Sequence, residues 1–599
     1  MKDMAVPPLV APTTVGSLAD LPARKATERP DAVGFRRRLG DRWVDVTYAE
    51  FLADVRQLAK GLVAAGVQVG DRVGLMSKTR YEWTVADFAV WTAGAVVVPV
   101  YETSSAEQIA WICTDSSPVA ILVETADHAA TVAEVRDQLP DLRDVWQIDA
   151  GAVEDLVKAG VEVSDDALDA RAAQLDRTAV ATVIYTSGTT GRPKGCELTH
   201  DNFMAVSENA VARLSEVVSS PDASTLLFLP LAHVFARLIE VLCVQAGARI
   251  GHTADVTRLL DDLASFQPTF ILAVPRVFEK IYNASEAKAA AEGKGRIFHL
   301  AADTAIAWST ARDTGGGGPL LAVRHLVFDR LVYRRLRAAM GGKVAYAVSG
   351  GAPLGPRLGH FYRGVGLTVL EGYGLTETTA PVSVNTPDQT KIGSVGPPLP
   401  GVAVRVADDG EVLVQGNNVF RGYRGNEAAT REALADGWFH TGDIGELDDD
   451  GFLRITGRIK EIIVTAGGKN VAPAVLEDRL RAHPLVSQCL VVGDQKPFIA
   501  ALLTLDAEML PTWAANHGVP GLTLEQARSN DVVLAGLGKA VERANKAVSR
   551  AESIRTFTVL ADDFTEANGY LTPSLKLKRR AVMEDFADQV EAMYAQAED

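Results

Sequence analysis

The chain has 599 residues, which is too long for one hydrophobic core and predicts at least two domains. Its composition, 47% hydrophobic and 23% charged, is that of an ordinary globular protein. The formal net charge of −16 argues against a nucleic-acid-binding protein, because neutralising phosphates requires clustered lysines and arginines.

The four cysteines, Cys113, Cys196, Cys243 and Cys489, are far apart and form no Cys-x-x-Cys pair. They suggest neither a disulfide framework nor a zinc site, and they suit a reducing cytosol. The N-terminus lacks the apolar segment of a signal peptide, and the longest uncharged run, Phe88–Tyr101, is shorter than the roughly 20 residues that span a bilayer. We expect a cytoplasmic protein, with peripheral contact at the inner membrane face left open.

Alternating strand and helix patterns begin at Arg72, after an N-terminal stretch (residues 1–30) whose prolines and alanines predict a loose lead-in. Strands alternating with helices predict parallel sheets covered by helices. The predicted strands are Val73–Met76, Ala95–Tyr101, Val119–Val123, Ala179–Tyr185, Thr225–Leu229, Thr269–Val274 and Val344–Val348, and the first predicted helices are Tyr81–Ala93 and Ala106–Thr114.

Residues 283–342 depart from this pattern, because alanine-rich helical segments flank the turn Gly315–Gly318. Five arginines follow this turn, and such a run of charges usually forms a solvated helix face. The alternative is a basic amphipathic surface that meets acidic lipid head groups or guides an anionic substrate. The arginines concerned are Arg324, Arg330, Arg334, Arg335 and Arg337.

From Lys391 to Arg454, short strands and turns predict a small β-rich subdomain. After Arg458, a smaller α+β pattern predicts a second domain, with the boundary at residues 458–461. Its predicted strands lie near Ile462–Val464, Gln488–Val492 and Phe498–Leu505. The fold class is therefore α/β: a large N-terminal domain (1–459) of helix-covered sheets plus a β-rich subdomain, and a small α+β C-terminal domain (460–599).

The most informative segment is 185–195, Tyr-Thr-Ser-Gly-Thr-Thr-Gly-Arg-Pro-Lys-Gly, which follows a predicted buried strand and leads towards a helix opened by Thr199. Glycines let backbone amides approach an anion, and hydroxyls and a lysine add donors. The segment is not a Walker A loop. A Walker A loop needs two glycines five residues apart and a Ser or Thr after the lysine, whereas the glycines here are three apart and Lys194 follows a proline. A polar surface loop is the ordinary alternative, but the length of the pattern favours a triphosphate cradle. Its proposed nucleotide-binding residues are Thr186, Ser187, Gly188, Thr189, Thr190, Gly191 and Lys194.

This segment resembles the phosphate loop of the AMP-forming adenylating enzymes, which include acyl-CoA synthetases, peptide-synthetase adenylation domains and luciferases. Membership would imply ATP and CoA as substrates and Mg²⁺ as the metal ion. It would also make the C-terminal domain a mobile lid, since the small domain of these enzymes rotates between half-reactions.

Two further small-residue segments each follow a β-patterned run, where α/β sheets place ligands. Small residues let a flat ring lie on the backbone, and Tyr373 offers a stacking face. Each segment alone could be a tight turn. In the resembled family the Gly-Tyr-Gly part binds adenine, the position of Thr376 meets the α-phosphate, and the position of Glu377 meets Mg²⁺, to which we also assign Thr186. The nucleotide-binding residues predicted here are Gly350, Gly351, Ala352, Pro353, Glu371, Gly372, Tyr373, Gly374 and Thr376.

Later motifs extend the resemblance. In the family, an Asp-Arg pair, here Asp443 and Arg458, contacts the ribose, and a hinge residue, here Lys460, follows two positions later. A surface ion pair is the ordinary alternative. The family then places a loop, here Gly467-Gly468-Lys469, against the pantetheine of CoA.

The family's late lysine motif usually reads Ser-Gly-Lys, whereas this chain reads Ser574-Leu575-Lys576. Despite this departure we predict that Lys576 is the late lysine, with Lys578 as the second candidate. The chemistry needs a mobile cation over the carboxylate oxygen and the α-phosphate in the transition state. The ordinary alternative is that these basic residues only form the start of a C-terminal helix, which would be enough to explain their charge.

The segment Leu229–Arg237 includes His233, and a lone histidine is more often a structural residue than a catalyst. The family, however, places a histidine or aromatic ring beside the acyl carboxylate. This segment, Val274–Lys280 and Leu571–Pro573 resemble stretches of long-chain fatty acyl-CoA synthetases in particular.

The resemblance thus implies an ATP-dependent ligase that activates a long-chain fatty acid to acyl-CoA through an acyl-adenylate, with catalytic roles for Lys576, Thr376, Glu377, His233 and Lys194. The alternative within the family is a fatty acid–AMP ligase that loads an acyl carrier protein. A luciferase-like oxidoreductase and a non-catalytic nucleotide sensor fit the motifs less well. No nucleic acid partner is expected, and a homodimer is left open.

Overall fold

The computed structural model describes residues 2–40, 42–186, 192–572 and 576–595. Its strands, in chain order, are β1 (Lys2–Ala5), β2 (Val33–Leu39), β3 (Arg42–Thr47), β4 (Arg72–Met76), β5 (Val96–Val100), β6 (Ala120–Val123), β7 (Asp144–Gln147), β8 (Val180–Thr186), β9 (Lys194–Thr199), β10 (Ser224–Leu227), β11 (Arg249–His252), β12 (Phe270–Ala273), β13 (Tyr346–Ser349), β14 (Thr368–Leu375), β15 (Ala380–Val384), β16 (Val402–Val406), β17 (Glu411–Gly416), β18 (Gly422–Tyr423), β19 (Phe439–Leu447), β20 (Leu453–Arg458), β21 (Ile463–Val464), β22 (Asn470–Val471), β23 (Val486–Val492), β24 (Ile499–Leu505) and β25 (Ile554–Val559).

Helices accompany these strands along the chain. They are α1 (Asp20–Glu28), α2 (Tyr48–Ala64), α3 (Tyr81–Thr92), α4 (Ala106–Ser116), α5 (Ala126–Glu134), α6 (Ala152–Ala159), α7 (Asp165–Ala172), α8 (His200–Arg213), α9 (Ser215–Val218), α10 (Val234–Ala246), α11 (Leu259–Phe266), α12 (Pro275–Ala291), α13 (Gly295–Thr314), α14 (Pro319–Phe328), α15 (Arg334–Ala339), α16 (Pro356–Val365), α17 (Glu427–Ala433), α18 (Pro473–Arg481), α19 (Leu510–Asn516), α20 (Leu524–Ala527), α21 (Asp531–Asn545), α22 (Arg579–Asp585) and α23 (Ala587–Ala595). Four of them, α12 to α15, lie between β12 and β13 in the sequence.

The largest sheet has seven strands in the order β18-β9-β8-β5-β4-β6-β7. The strands β4, β5, β6, β7 and β8 pair in parallel, which confirms the predicted α/β pattern. Every residue of β5, Val-Val-Val-Pro-Val, is buried, as expected of a parallel strand covered by helices on both faces.

The connection after β8 contains a strand that was not predicted. Between the glycine-rich segment and the predicted helix, β9 pairs antiparallel with β8, with Thr186 opposite Lys194. The sheet therefore holds Thr186 and Lys194, which flank the segment outside the described residues. The helix α8 begins only afterwards, with Thr199 accepting from the Asn202 amide in a capping box.

Two four-stranded sheets complete the core of the large domain, in the orders β10-β11-β2-β3 and β12-β13-β14-β15. In the second, β12, β13 and β14 run parallel, and β15 is antiparallel to β14. Their apolar residues pack with α12, α13 and α16 into one hydrophobic cluster that includes Phe278, Phe298 and Phe361.

The predicted β-rich subdomain is confirmed as a five-stranded sheet in the order β1-β16-β17-β19-β20. Its first strand corrects the prediction for residues 1–30. That stretch is not a loose lead-in, because Lys2–Ala5 pairs with β16 and α1 buries Leu21. A four-residue strand has too little local pattern to be recognised, and its pairing depends on an edge supplied about 400 residues later.

The residues after 460 form their own cores. The hydrophobic clusters around β23-β24-β25 contain only residues from Ile463 onwards. This separation supports a domain boundary at 459/460, which stays a prediction.

A buried ion pair connects α10 to α3. The Arg237 guanidinium donates to both carboxylate oxygens of Asp87, and both side chains are fully buried. Arg237 also lies over the rings of Trp83 and Trp91, at 5.6 Å and 5.1 Å. Because a lone buried charge is strongly unfavourable, the pair holds α10, and with it His233 at the N-cap of α10, in one position.

We predict that Arg237→Met lowers the free energy of unfolding by about 3–5 kcal/mol, because it leaves the Asp87 carboxylate buried without a partner. The double variant Asp87→Leu/Arg237→Met should lose less than the two single variants together. Urea unfolding followed by tryptophan fluorescence measures both. As the control, Arg36→Met breaks the exposed Arg36–Asp45 pair and should cost under about 1 kcal/mol. Equal losses for Arg237→Met and Arg36→Met would contradict the role given to the buried pair.

Candidate active site

The proposed nucleotide-binding segments meet where β13 and β14 lie side by side. Gly350 follows β13, and a Cβ atom there would lie 3.1 Å from the Phe235 ring and 3.6 Å from the Gly372 carbonyl oxygen. Residues 371–374 were expected to follow a strand. In the structure they lie inside β14 (Thr368–Leu375). The two glycines in this run, Gly372 and Gly374, made it look unlike a strand in the sequence, because glycine weakens a strand interior. In the structure they allow other groups to pack closely against the strand.

Gly374 illustrates this close packing. A Cβ atom at Gly374 would lie 1.5 Å from the Ala380 carbonyl oxygen, and the pairing of β14 with β15 shifts register at this point. The glycine is required for the two backbones to approach, whatever ligand lies above them.

The centre of the site is the carboxylate of Asp443. Its Oδ1 accepts from Arg458 Nε at 2.8 Å, and its Oδ2 accepts from the Tyr373 hydroxyl at 2.6 Å. Asp443 and Arg458 are direct partners across β19 and β20, and the Asp443 side chain is almost fully buried. Burial and the Asp443 carboxylate keep the pKa of Tyr373 well above its ordinary value, so the phenol stays a donor. The structure thus brings together three of the residues predicted from separate motifs.

Lys576 reaches the same place from the far end of the chain. Its backbone amide donates to the Thr572 hydroxyl at 3.0 Å, and its carbonyl accepts from the Thr572 amide at 2.8 Å, so Thr572 holds the Lys576 backbone in place. Lys576 is an exposed residue, and its ammonium nonetheless lies close to the charged groups of the site. Desolvation and the nearby Arg458 lower its pKa, while Asp443, Glu377 and Glu461 oppose this shift. Lys576 is therefore the predicted late lysine that the structure places at the site.

His233 lies near that lysine. It caps α10, with its Nδ1 accepting from the Phe235 amide at 3.2 Å. Burial, assisted by the Lys576 ammonium, lowers the pKa of His233 to about 3. The imidazole is thus neutral at physiological pH and carries its proton on Nε2, since Nδ1 acts as an acceptor.

Lys194 and Glu377 are joined through a residue that the sequence did not single out. The Tyr423 hydroxyl donates to Glu377 Oε1 at 2.8 Å, and Lys194 Nζ lies 4.1 Å from the centre of the Tyr423 ring. Burial and the Glu377 carboxylate raise the pKa of the Cys196 thiol, whereas Thr186 and Lys194 lower it. These influences place Thr186, Lys194 and Glu377 around one buried thiol.

The remaining predicted positions are distributed as follows. Thr376 and Glu377 form a short 3-10 turn after β14. Gly351, Ala352 and Pro353 are exposed in the loop before α16. The segment Ser187, Gly188, Thr189, Thr190 and Gly191 lies outside the described residues.

Lys460 is exposed in the 3-10 turn Ile459–Glu461 that follows β20, a position suited to a hinge. The turn Gly467-Gly468-Lys469 joins β21 to β22, and Lys469 Nζ lies 3.4 Å from Glu552 Oε1 within the C-terminal domain. The structure thus places Lys576 at the site, while the 467–469 turn is engaged elsewhere.

Polar contacts between the two predicted domains accompany this arrangement. Arg276 lies 3.3 Å from Asp506, Lys280 lies 3.3 Å from Glu508, and the Thr103 hydroxyl donates to Glu566. The first two contacts start from α12, which carries part of the Val274–Lys280 motif. Sequence could not reveal these partners, because they lie more than 200 residues apart.

Among the described residues, no cluster of three or more His, Cys, Asp or Glu side chains could hold a metal ion. A metal ion at Glu377 would therefore take most of its ligands from elsewhere, as Mg²⁺ bound to nucleotide phosphates does. Glu377 suits that role, since Tyr423 occupies only one of its carboxylate oxygens.

Glu371 is a further titratable group at the site whose pKa is shifted. It is buried, and its Oε1 accepts from the Leu354 amide at 2.9 Å. Burial raises its pKa from 4.5 to about 7, the Leu354 amide opposes this, and the Asp478 carboxylate of the C-terminal domain adds to it.

Comparison with known proteins identifies the family. A sequence model of the AMP-binding enzyme family matches residues 22–424, and a model of the AMP-binding enzyme C-terminal domain matches residues 460–598. The chain belongs to the AMP-binding enzyme family. Its sequence is 52% identical to the long-chain-fatty-acid–CoA ligases FadD15 of Mycobacterium bovis and Mycobacterium tuberculosis, over 99% of this chain and 100% of theirs. It is 30% identical to human long-chain-fatty-acid–CoA ligase ACSBG1, over 94% of this chain and 83% of that protein.

Solved structures show the same fold at lower identity. The anthranilate CoA ligase AuaEII in complex with anthranoyl-AMP superposes with a TM-score of 0.73, covering 96% of this chain and 98% of that one, at 19% identity. The A domain of a carboxylic acid reductase from Segniliparus rugosus, in complex with AMP and a carboxylic acid, has a TM-score of 0.75 with 22% identity, covering 97% and 94%. The predicted combination of a large α/β domain and a small C-terminal domain is confirmed.

We predict that Glu371→Gln stabilises the protein increasingly as pH rises from about 4.5 to about 7. In this interval the native state retains a proton that the unfolded chain has released, so the stability of the wild type falls with rising pH. Glutamine can keep the Leu354 hydrogen bond without a charge. The advantage of the variant should reach about 3 kcal/mol above this interval and vanish below it.

Urea unfolding of both proteins across this pH range provides the measurement. The control is Glu525→Gln, which changes an exposed glutamate in the C-terminal domain and should show no comparable rise. A constant difference between Glu371→Gln and the wild type at all pH values would show that the Glu371 carboxyl titrates normally.

Proposed function

We propose that this protein is an AMP-forming long-chain fatty acid–CoA ligase. The observation that carries the proposal is the 52% identity to proteins named as long-chain-fatty-acid–CoA ligases, over 99% of this chain and 100% of theirs. The site supports it, because residues from four separate motifs meet around one carboxylate and one lysine.

In the first step the fatty carboxylate attacks the α-phosphorus of ATP, a new P–O bond forms, and pyrophosphate leaves with the electrons of the broken bond. Negative charge accumulates on the α-phosphate oxygens, and the work of the protein is positioning and charge stabilisation. Lys576 supplies the cation for this step. Because its ammonium is partly desolvated, its interaction with the developing charge is stronger than in water.

His233 has a different role in the same step. As a neutral imidazole it adds no charge beside the fatty carboxylate, and its Nε2–H can donate to a carboxylate oxygen. We therefore assign His233 to orienting the acyl group and Lys576 to the charge of the transition state.

The nucleotide is held by the groups around Asp443. A carboxylate has capacity for about four hydrogen bonds, so Asp443 can accept from a ribose diol while it keeps Tyr373 and Arg458. The backbone around Gly350 and Gly372 would receive the adenine, and Thr376 with the hairpin between β8 and β9 would receive the phosphates. Mg²⁺, when bound by Glu377 and the phosphates, supplies positive charge to the leaving pyrophosphate.

In the second step the CoA thiol attacks the acyl carbonyl, and AMP leaves as the thioester forms. We propose that the C-terminal domain, as a mobile lid, first turns about Lys460, which withdraws Lys576 and brings the Gly467–Lys469 turn towards the pantetheine. The two ion pairs from α12, Arg276–Asp506 and Lys280–Glu508, must open for this rotation. Contact with the inner face of the membrane and a homodimer stay predictions.

The alternative is a fatty acid–AMP ligase that transfers the acyl group to a carrier protein. The two activities share the first step and the whole nucleotide site. They differ in the acceptor thiol, so dependence on CoA separates them.

We predict that the protein releases AMP continuously with palmitate and Mg·ATP only when CoA is present, and that palmitoyl-CoA forms in equal amount. The measurement is AMP release over time, with the product identified by mass spectrometry. Asp443→Asn should lower kcat/KM for ATP about tenfold or more, since it removes the charge that accepts from Arg458. Asp409→Asn, at an exposed turn of the β-rich subdomain, is the matched control and should retain activity.

Two results would contradict this proposal. A single stoichiometric burst of AMP that CoA does not change would favour loading of a carrier protein. No adenylate formation from any fatty acid would remove the enzyme assignment altogether.

A further inference from the structure

The solvent-facing side of α14 is apolar, which is the reverse of an ordinary surface helix. Leu320 and Leu326 are 73% and 71% exposed, and Val323, Val327 and Leu331 are each about half exposed or more. At 3.6 residues per turn these five residues lie on one side of the helix and of the π-helical turn Asp329–Tyr333 that continues it. We call these five residues the α14 face.

The α14 face cannot be buried by rotating the helix, because the other side is fixed. The His325 ring stacks on Trp308 at 4.7 Å, and its Nε2 lies 2.6 Å from the Gly364 carbonyl oxygen. The buried Tyr333 hydroxyl donates to the Ala301 carbonyl at 2.7 Å. The exposed leucines are thus a stable feature of the fold, and an exposed apolar patch of this kind marks an interaction surface.

Arginines border the α14 face on a chain whose net charge is −16. The stretch 319–337 carries five arginines and one acidic residue, Asp329. Asp329 lies 2.8 Å from Arg337 and 3.6 Å from Arg334. In the part of the chain that the structure describes, Arg324, Arg330 and Arg335 are exposed and make no side-chain hydrogen bond or ion pair. The local charge is therefore opposite to that of the whole molecule and is available to an anionic partner.

We propose that the α14 face docks the protein on the surface of an anionic lipid bilayer, with the leucines and valines in the acyl–headgroup boundary and the three unpaired arginines on lipid phosphates. Apolar side chains alternating with arginines suit this boundary, since long basic side chains reach the headgroups while their stems stay apolar. Among the helices that the structure describes, none is long and apolar enough to span a membrane, so the contact is peripheral.

A second copy of the chain fits this surface less well than a bilayer does. A two-fold contact through the α14 face would bring the same unpaired arginines together, and like charges brought together at an interface are unfavourable. The surface of an anionic bilayer, in contrast, carries the charge opposite to that of these arginines.

The inference rests on the proposed function, because it gives that function a source of substrate. A long-chain fatty acid partitions into bilayers, at about 0.8 kcal/mol for each buried CH₂ group. The α14 face is attached to the site through α16, which contacts α13 and α14 on one side and begins at Pro356, just after the loop 350–355. A docked protein would thus take its substrate from the membrane that it contacts.

The test is sedimentation of the full chain with vesicles of phosphatidylcholine plus phosphatidylglycerol, and with vesicles of phosphatidylcholine alone. We expect binding to the anionic vesicles, weaker binding to the neutral ones, and weaker binding at high salt. The variant Arg324→Gln/Arg330→Gln/Arg335→Gln should bind anionic vesicles at least about tenfold more weakly. The variant Val323→Asn/Leu326→Asn should lose binding to both.

Matched controls change the same properties elsewhere on the surface. Lys158→Gln/Lys539→Gln/Arg550→Gln removes three exposed positive charges, and Val161→Asn replaces a valine that is 72% exposed. Both controls should bind as the wild type does. Turnover of a short, soluble fatty acid without vesicles should be unchanged in all four variants, which also shows that they are folded.

The outcomes separate the two proposals. Vesicle binding without fatty acid activation would leave the docking surface standing and remove the proposed function. Activation with no vesicle binding, or with binding that the charge control reduces as much as the α14 variants do, would overturn the docking surface. Dissociation of a dimer by the α14 variants, with vesicle binding unchanged, would also overturn it and would identify the occupant as a second copy.

Discussion

The site depends on one constraint: the Asp443 carboxylate is buried and must keep its hydrogen-bond donors. Tyr373 comes from β14 and Arg458 from β20, so the hydrogen bonds at Asp443 join the α/β core to the β-rich subdomain. Losing either donor would leave a buried charge undersatisfied, which costs more than an ordinary surface ion pair contributes. Lys576 approaches the same group from beyond Lys460, so the C-terminal part of the chain contributes a positive charge to the site in this structure.

One interdomain ion pair, Lys280–Glu508, is suited to being temporary, whereas Arg276–Asp506 is largely buried. Lys280 and Glu508 are exposed, and an exposed ion pair contributes at most about 1 kcal/mol. The Arg237–Asp87 pair, in contrast, is fully buried inside the large domain and keeps α10 and its His233 cap in place. Under the proposed function, a fixed acyl and nucleotide site and a C-terminal domain that carries the lysine and moves would be the combination that two successive half-reactions require.

Much of this could be predicted from sequence where local pattern and motif agree. The valine-rich strand β5 is recognisable because it is buried on both faces, and Asp443, Arg458 and Lys576 lie in motifs with characteristic neighbours. Other features depend on distant parts of the chain. The pairing of β1 with β16 and the link from Lys194 through Tyr423 to Glu377 could not be predicted, because nothing local distinguishes Tyr423 from any tyrosine in a short strand. Gly374 shows the converse, since it was predicted as a ligand-facing residue and is also required by the approach of two backbones.

The most direct test of the account is to measure the two half-reactions separately in Lys576→Ala, with Lys578→Ala as the matched control two residues away. Rapid-quench measurement follows palmitoyl-AMP formation from palmitate and ATP, and a second assay follows conversion of supplied palmitoyl-AMP to palmitoyl-CoA. We expect Lys576→Ala to lose adenylate formation by about a hundredfold or more and to retain the thioester step, because the lysine serves only the arrangement seen here. Equal loss of both steps, or an equal effect of Lys578→Ala, would contradict the role of Lys576 as the cation that the C-terminal domain supplies to adenylation.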